Sequence, residues 1–224
     1  MSNKFSMLSV AVVALVAGSA AFAAPLTVSS YDMPNGDGQA HGGSYNYWDR
    51  SYTGSGNTAQ DGLSGSYLTG GTGKLTDGFF SSQPWYNVSN AAGTGDYVGW
   101  LDSNPTIIFN FASSVNISQV TFYVDNSHSG GVTAPSAFVI NGTSYANPAW
   151  VGASAPEAFT VSGLNLTGSS VTVQLIDPTR WVFMSEVQFS TAAVPEPETY
   201  ALMLAGLAGV GLAARRRRSA PLAA

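Results

Sequence analysis

The chain has 224 residues, no cysteine, and 8 Lys and Arg against 13 Asp and Glu, a net charge of −5. Disulfides and zinc-thiolate sites are excluded, and two histidines, His41 and His128, with no H-E-x-x-H pattern give no sign of catalytic zinc. Five of the eight cations sit in the terminal segments, so the rest of the chain cannot form the basic footprint that nucleic acid requires.

At the start, Lys4, the apolar stretch Met7 to Ala17 and the small-x-small motif Ala21-Phe22-Ala23 follow the order of a secretory signal peptide. They predict a signal helix within residues 1–23, with Ala21 and Ala23 setting the cleavage point. Residues 24–193 are then one domain by size, in which Arg50, Lys74 and Arg180 stand against eleven carboxylates, a net −8. An exported domain without disulfides depends on its core, and an acidic one can add a bound divalent cation.

Residues 32–75 are crowded with Gly, Ser, Asn, Thr and Tyr, which predicts long loops between short strands. Tyr45, Tyr47 and Trp48 lie among them, so the loops are expected to be ordered, since a flexible linker has little use for aromatics. Asp32, Asn35 and Asp37, followed by Gly38, are a second place to look for calcium, but their spacing misses the EF-hand loop and reads better as a turn.

From Pro105 the period is two. Ile107, Phe109 and Phe111 share one strand face, and Val120, Phe122 and Val124 share one face of the next. Ser136 to Ile140 leads into Asn141-Gly142, a tight hairpin signal, with Thr143 to Tyr145 returning. Val171, Val173 and Leu175 alternate with polar residues, Asp177-Pro178 turns, and Arg180 to Phe189 closes the domain. In that last strand Phe183, Val187 and Phe189 have one parity, and Met184, Glu186 and Gln188 the other. With no helical period between them, these strands predict an all-β fold, an antiparallel β-sandwich of jelly-roll type.

Gly73-Lys-Leu-Thr-Asp-Gly-Phe79, Tyr97-Val-Gly-Trp100 and Trp181-Val-Phe-Met-Ser-Glu-Val-Gln-Phe189 resemble the galactose-binding-like, or discoidin-like, β-sandwich over about residues 70–190. The resemblance implies a structural calcium between an Asp-Gly loop and a glutamate on the final strand. Carried over, Asp77 and Glu186 are the side-chain ligands and Lys74 gives a carbonyl; the alternative is an Asp77-Gly78 turn and a solvated Glu186. It also implies sugar binding by loops at one end of the sandwich. Trp85, Tyr86, Trp100 and Trp150 are candidates for the stacking face, and Arg180 and His128 for hydrogen bonds to a glycan.

The end of the chain reads as an address. Val194-Pro-Glu-Pro-Glu198 is followed by the apolar run Ala201 to Ala214 and then by Arg215, Arg216, Arg217 and Arg218. Fourteen apolar residues make roughly 21 Å of helix, short of the roughly 30 Å hydrocarbon core, so this hydrophobic helix is a marginal transmembrane span. Four arginines hold its far end in the cytoplasm. Residues 194–218 resemble the PEP-CTERM sorting signal, which implies recognition at Pro195, Glu196 and Pro197 by an exosortase-type membrane enzyme, with 219–224 as a disordered tail.

Together these features predict an exported, exosortase-sorted, non-catalytic surface or matrix protein. It passes through the inner membrane and binds exopolysaccharide through a calcium-stabilised sandwich. Two alternatives stay open: a structural matrix protein held by protein contacts, and a polysaccharide hydrolase using Asp77 and Glu186 as a carboxylate pair. No G-x-S-x-G elbow or P-loop occurs.

Overall fold

The computed structural model describes residues 23–61, 66–152, 156–193, 201 and 203–211. Ala21, Pro195, Glu196, Pro197 and Arg215 to Arg218 lie outside the described residues, as do 219–224. Residues 201 and 203–211 are helical, and among the described residues no helix is long and apolar enough to cross a membrane.

Ala24–Ala192 forms one compact unit. Its elements run β1 (Pro25–Leu26), β2 (Ser30–Pro34), β3 (Tyr67–Gly71), α1 (Trp85–Val88), β4 (Val98–Leu101), β5 (Thr106–Val124), β6 (Ala137–Ile140), β7 (Thr143–Ala146), β8 (Glu157–Ile176) and β9 (Trp181–Ser190). All pairings between named strands are antiparallel. The β6–β7 turn is the one expected: Asn141 and Gly142 both have positive φ, 46° and 84°, as a two-residue primed turn demands.

The fold is one sheet bent over on itself by its two longest strands. β5 and β8 pair from Thr106↔Gln174 to Val124↔Glu157, with register shifts between Asn110 and Val115 and between Ile117 and Gln119. Before the first shift β5 pairs with β2, and the corresponding part of β8 pairs with β6, which carries β7. After the shifts β5 pairs with β9, which carries β4 and β1. Two antiparallel layers result, an all-β sandwich as expected. Aromatic pairs between them help form the core: the Phe122 ring stacks on Phe138 at 4.1 Å, and Phe109 meets Phe189 edge-on at 5.1 Å. The alternating residues at 107–111, 120–124 and 171–175 are buried in β5 and β8, joined by Ile117, Val161 and Leu164.

The last strand departs from the simple alternation. Tyr123 pairs with Glu186 and Val124 with Met184, leaving Ser185 as the extra residue of a β-bulge. The bulge switches parity. Val187 and Phe189 belong to the main core, but so do Val182 and Met184, whereas Phe183 joins a separate cluster with Tyr47, Trp85, Tyr97 and Val132. One strand thus serves the core on one side and carries a second aromatic group on the other.

Candidate functional site

The second cluster lines a cleft of about 350 Å³ whose walls are Tyr47, Trp85, Trp181 and Phe183 and whose rim carries His41 and Arg180. Tyr47 is the hub: its ring centroid is 4.5 Å from that of Phe183 and 5.1 Å from that of Trp181. Trp85 stands edge-on to Phe183 at 5.8 Å. Edge-to-face aromatic pairs of this kind are rigid and worth about 0.5–1.5 kcal/mol each beyond the area they bury.

Trp85 is fixed from both ends. Its amide donates to Asp125 Oδ2 at 2.6 Å, and its indole Nε1 donates to Ser129 O at 3.2 Å. Asp125 is fully buried and takes the Ser127 amide on its other oxygen at 2.7 Å. Gly130 must be glycine, because its φ is 62° and a Cβ there would come within 2.9 Å of the Trp85 ring.

Three of the polar tips around this cleft are unpartnered and a fourth is paired. Among the described residues the Tyr47 hydroxyl, the Trp181 indole N–H and the His41 ring make no hydrogen bond. The Arg180 guanidinium makes only a 3.5 Å ion pair with Asp102, both side chains more than half exposed. Burial raises the Tyr47 hydroxyl well above the usual tyrosine value, with Tyr45 adding to it, so the group stays a neutral donor. Among the described residues, His41 in the lining and Gln39, Asp102 and His128, each within two residues of a residue that lines the cleft, all have positive φ. Each such backbone costs on the order of 1–3 kcal/mol and is characteristic of ligand-holding loops.

Of the residues singled out in the sequence, Trp85 and Arg180 meet here. Trp100 does not: it is 2 % exposed in the main core with its indole N–H donated to Pro34 O at 2.9 Å. Trp150 packs against the main core and its carbonyl meets His128 Nε2 at 2.8 Å. Tyr86 is exposed beside Trp85. Sequence reasoning missed Tyr47, His41 and Trp181 as cleft residues. The available signal for Trp181 was a tryptophan at the first position of a strand straight after the Asp177-Pro178 turn.

On the far side of the bulge, β9 presents Glu186 to the loop after Lys74–Thr76. Glu186 is 3 % exposed, and its Oε2 accepts the Gly78 amide at 3.2 Å. Burial pushes its carboxyl up to about 8, opposed by the Gly78 hydrogen bond and reinforced by the charge of Asp77. Asp77 is itself raised, chiefly by desolvation, while its Oδ1 accepts the Phe79 amide at 2.8 Å. Neither carboxylate forms an ion pair among the described residues, and Thr76 Oγ1 is buried with no partner.

Asp77 and Glu186 offer the hard oxygen donors that calcium takes, but among the described residues no three His, Cys, Asp or Glu gather to hold a metal, so an ion here would depend on two carboxylates and neutral oxygens. The Lys74 side chain is committed elsewhere: its Nζ donates to Trp48 O at 3.0 Å and Gly93 O at 2.9 Å, leaving only its carbonyl for such a shell. The second candidate group is consumed by the loops. Asp32 accepts from Gly70 N and Asn110 Nδ2, Asn35 Oδ1 from the Gly36 and Asp49 amides, and Asp37 Oδ2 from Leu101 N.

The family model of the discoidin domain-containing receptor 1/2 DS-like domain matches residues 27–191. The chain belongs to that family. The PEP-CTERM protein-sorting motif matches residues 193–218, which implies a secreted, exosortase-sorted protein. No curated protein matches the chain. Among solved structures, this DS-like domain is similar to the Streptococcus pneumoniae β-galactosidase BgaA at 16% identity, over 52% of this chain and 82% of that one, with a TM-score of 0.35. It is also similar to chitosan-binding module 1 of a Paenibacillus sp. IK-5 chitosanase/glucanase, at 15% identity over 52% and 81%, TM-score 0.31. A third is the Clostridium perfringens module CpGH89CBM32-5 in complex with GalNAc-β-1,3-galactose, at 10% identity over 43% and 77%, TM-score 0.32. These likenesses are distant.

Proposed function

We propose that this is an exported, non-catalytic carbohydrate-binding protein that holds exopolysaccharide at the cleft of Tyr47, Trp85, Trp181 and Phe183. The observation that carries the reading is the combination in that cleft of packed aromatic walls with the unpartnered Tyr47 hydroxyl and Trp181 indole N–H. A sugar ring offers an apolar face edged by hydroxyls, and a concave site with a few convergent polar groups suits it. Calcium at Asp77 and Glu186, with the Lys74 carbonyl, is proposed as a structural ion that supplies charge neutralisation for a buried carboxylate. The apolar segment 201–214 serves as a transient inner-membrane anchor until an exosortase-type enzyme acts at Pro195-Glu196-Pro197, leaving the domain at the cell surface or beyond it.

The hydrolase alternative is disfavoured by burial. A glycosidase pair flanks an open cleft, whereas Glu186 is covered by the Asp77-Gly78 loop and bonded to it. The test is retention of the purified mature protein on the exopolysaccharide of the producing cells, with calcium and then with chelator. Wild type should be retained, Trp181→Ala should lose at least about tenfold in affinity, the 1.4 kcal/mol that one lost stacking face supplies, and Trp150→Ala should bind normally. Absence of retention in either buffer would move the weight to a matrix protein held by protein partners.

A further inference from the structure

The aromatic cleft has a neighbour across its rim, where Arg180 of the first pairs with Asp102 of the second. Beyond the Arg180–Asp102 pair lies a second cleft of about 330 Å³, lined by Asp102, Ser103, Asn104, Asp177 and Thr179. Ser103 and Asn104 also line a third, of about 350 Å³, which runs on to exposed Tyr67. A single short loop borders all three. Leu101 belongs to the first, 102–104 to the second and 103–106 to the third.

That loop is built to hold still. The Asp102 amide donates to Arg180 O at 2.6 Å, Asn104 Oδ1 accepts the Asp177 amide at 2.8 Å, and the Thr179 amide donates to Asp177 Oδ1 at 2.9 Å. A ligand lying along it would meet a surface already ordered, which lowers the entropic cost of binding. The chemistry changes along the way: aromatic faces first, then carboxylates and amides, then Tyr67 at the far end. Asp102 and Asp177 border the second cleft and Asp37 the third, while the one arginine nearby is already paired. Oxygen acceptors with a net negative field suit hydroxyl or ammonium donors and repel carboxylates on a ligand.

We propose that the three clefts are successive subsites of one groove that takes a linear chain of neutral or amine-bearing sugars, at least a trisaccharide long, and discriminates against polyuronates. The inference rests on the carbohydrate reading of the aromatic cleft and extends it to chain length and charge. Calorimetric titration of the mature protein with glucose and glucosamine oligomers of increasing length, and with uronate oligomers of matched length, tests it. Affinity should rise at least about tenfold from monomer to trimer, and uronates should bind at least about tenfold more weakly than neutral chains of equal length. Tyr67→Ala should abolish the gain from dimer to trimer while leaving monosaccharide affinity within about twofold, and Trp181→Ala should weaken every length. Affinity independent of length, equal binding of uronates, or a uniform loss in Tyr67→Ala would overturn the groove and leave the aromatic cleft standing. No binding of any sugar at any length would overturn the cleft itself, and the groove with it.

Discussion

Asp37 shows how much a single side chain in these loops gives up to hold its place. Its Oδ2 accepts the Leu101 amide at 2.5 Å, while Oδ1 is buried without a partner. Burial pushes its carboxyl up to about 6, against that hydrogen bond and with the charges of Asp61 and Asp102 adding to the rise. A carboxyl raised on folding binds its proton more tightly in the native state, so its contribution is full below the unfolded value near 4 and is lost as the pH rises through about 6. Asp37→Asn keeps the acceptor and removes the titration. The melting temperature of wild type relative to this variant should fall between pH 4 and pH 7 and stay level above. A difference independent of pH would mean that the folded carboxyl titrates normally. The sequence put Asp37 in a turn cluster with Asn35 and Gly38, whereas 35–39 is irregular loop, and nothing in it revealed that the partner would be the backbone of Leu101, 64 residues away.

At the scale of elements, what decides the site is the bulge in β9. Strict alternation puts Phe183 with Val187 and Phe189, and the pattern 181–189 offers no glycine or proline to mark an interruption. The structure instead places Met184 and Val187 on one face and Phe183 and Glu186 on the other. Ser185 takes the switch because its side chain is small and satisfied, receiving the Ser81 amide at 3.3 Å and donating to Tyr123 O at 3.4 Å. Deleting Ser185 would make Met184 and Glu186 neighbours in a regular ladder, in which Val182, Met184, Val187 and Phe189 keep the core face and Trp181, Phe183 and Glu186 the other. The cleft then keeps its walls, and what is lost is the local bend and the two hydrogen bonds of the Ser185 hydroxyl. The deletion variant should therefore fold and keep the near-ultraviolet circular dichroism of the packed tryptophans, and Ser185→Ala should cost only about 1 kcal/mol in urea unfolding. Loss of that signal in the deletion variant would show that the bend of the bulge, and not the change of parity alone, positions the cleft. The same limit explains β5: 107–111 and 120–124 were legible as two strands, but their continuity depends on β8 pairing through 115–117, which local period does not encode.

For the whole molecule, legibility followed sequence distance. The terminal signals are contiguous patterns, so the sorting motif over 193–218 could be read directly. The Asp77–Glu186 pairing spans 109 positions and was reached only through family resemblance, while the aromatic cleft, joining His41 and Tyr47 to Trp181, had no local signature at all. Those same long-range closures matter for stability in a cysteine-free exported domain, where the loop after Thr76 is tied to β9 through the Gly78–Glu186 and Ser81–Ser185 hydrogen bonds. A calcium ion bound there would act as the missing cross-link, at hundredfold excess over its dissociation constant adding about 2.7 kcal/mol. For a domain of this size that is roughly 5–11 °C in melting temperature. Glu186→Gln keeps an acceptor for the Gly78 amide and, above the pH of about 8 at which the carboxyl ionises, removes a buried charge. Without calcium it should therefore melt at or above wild type, and with calcium only wild type should gain. If both gain equally, the ion binds elsewhere. If neither responds, the loop is held by hydrogen bonds alone and Glu186 is buried for a reason other than metal.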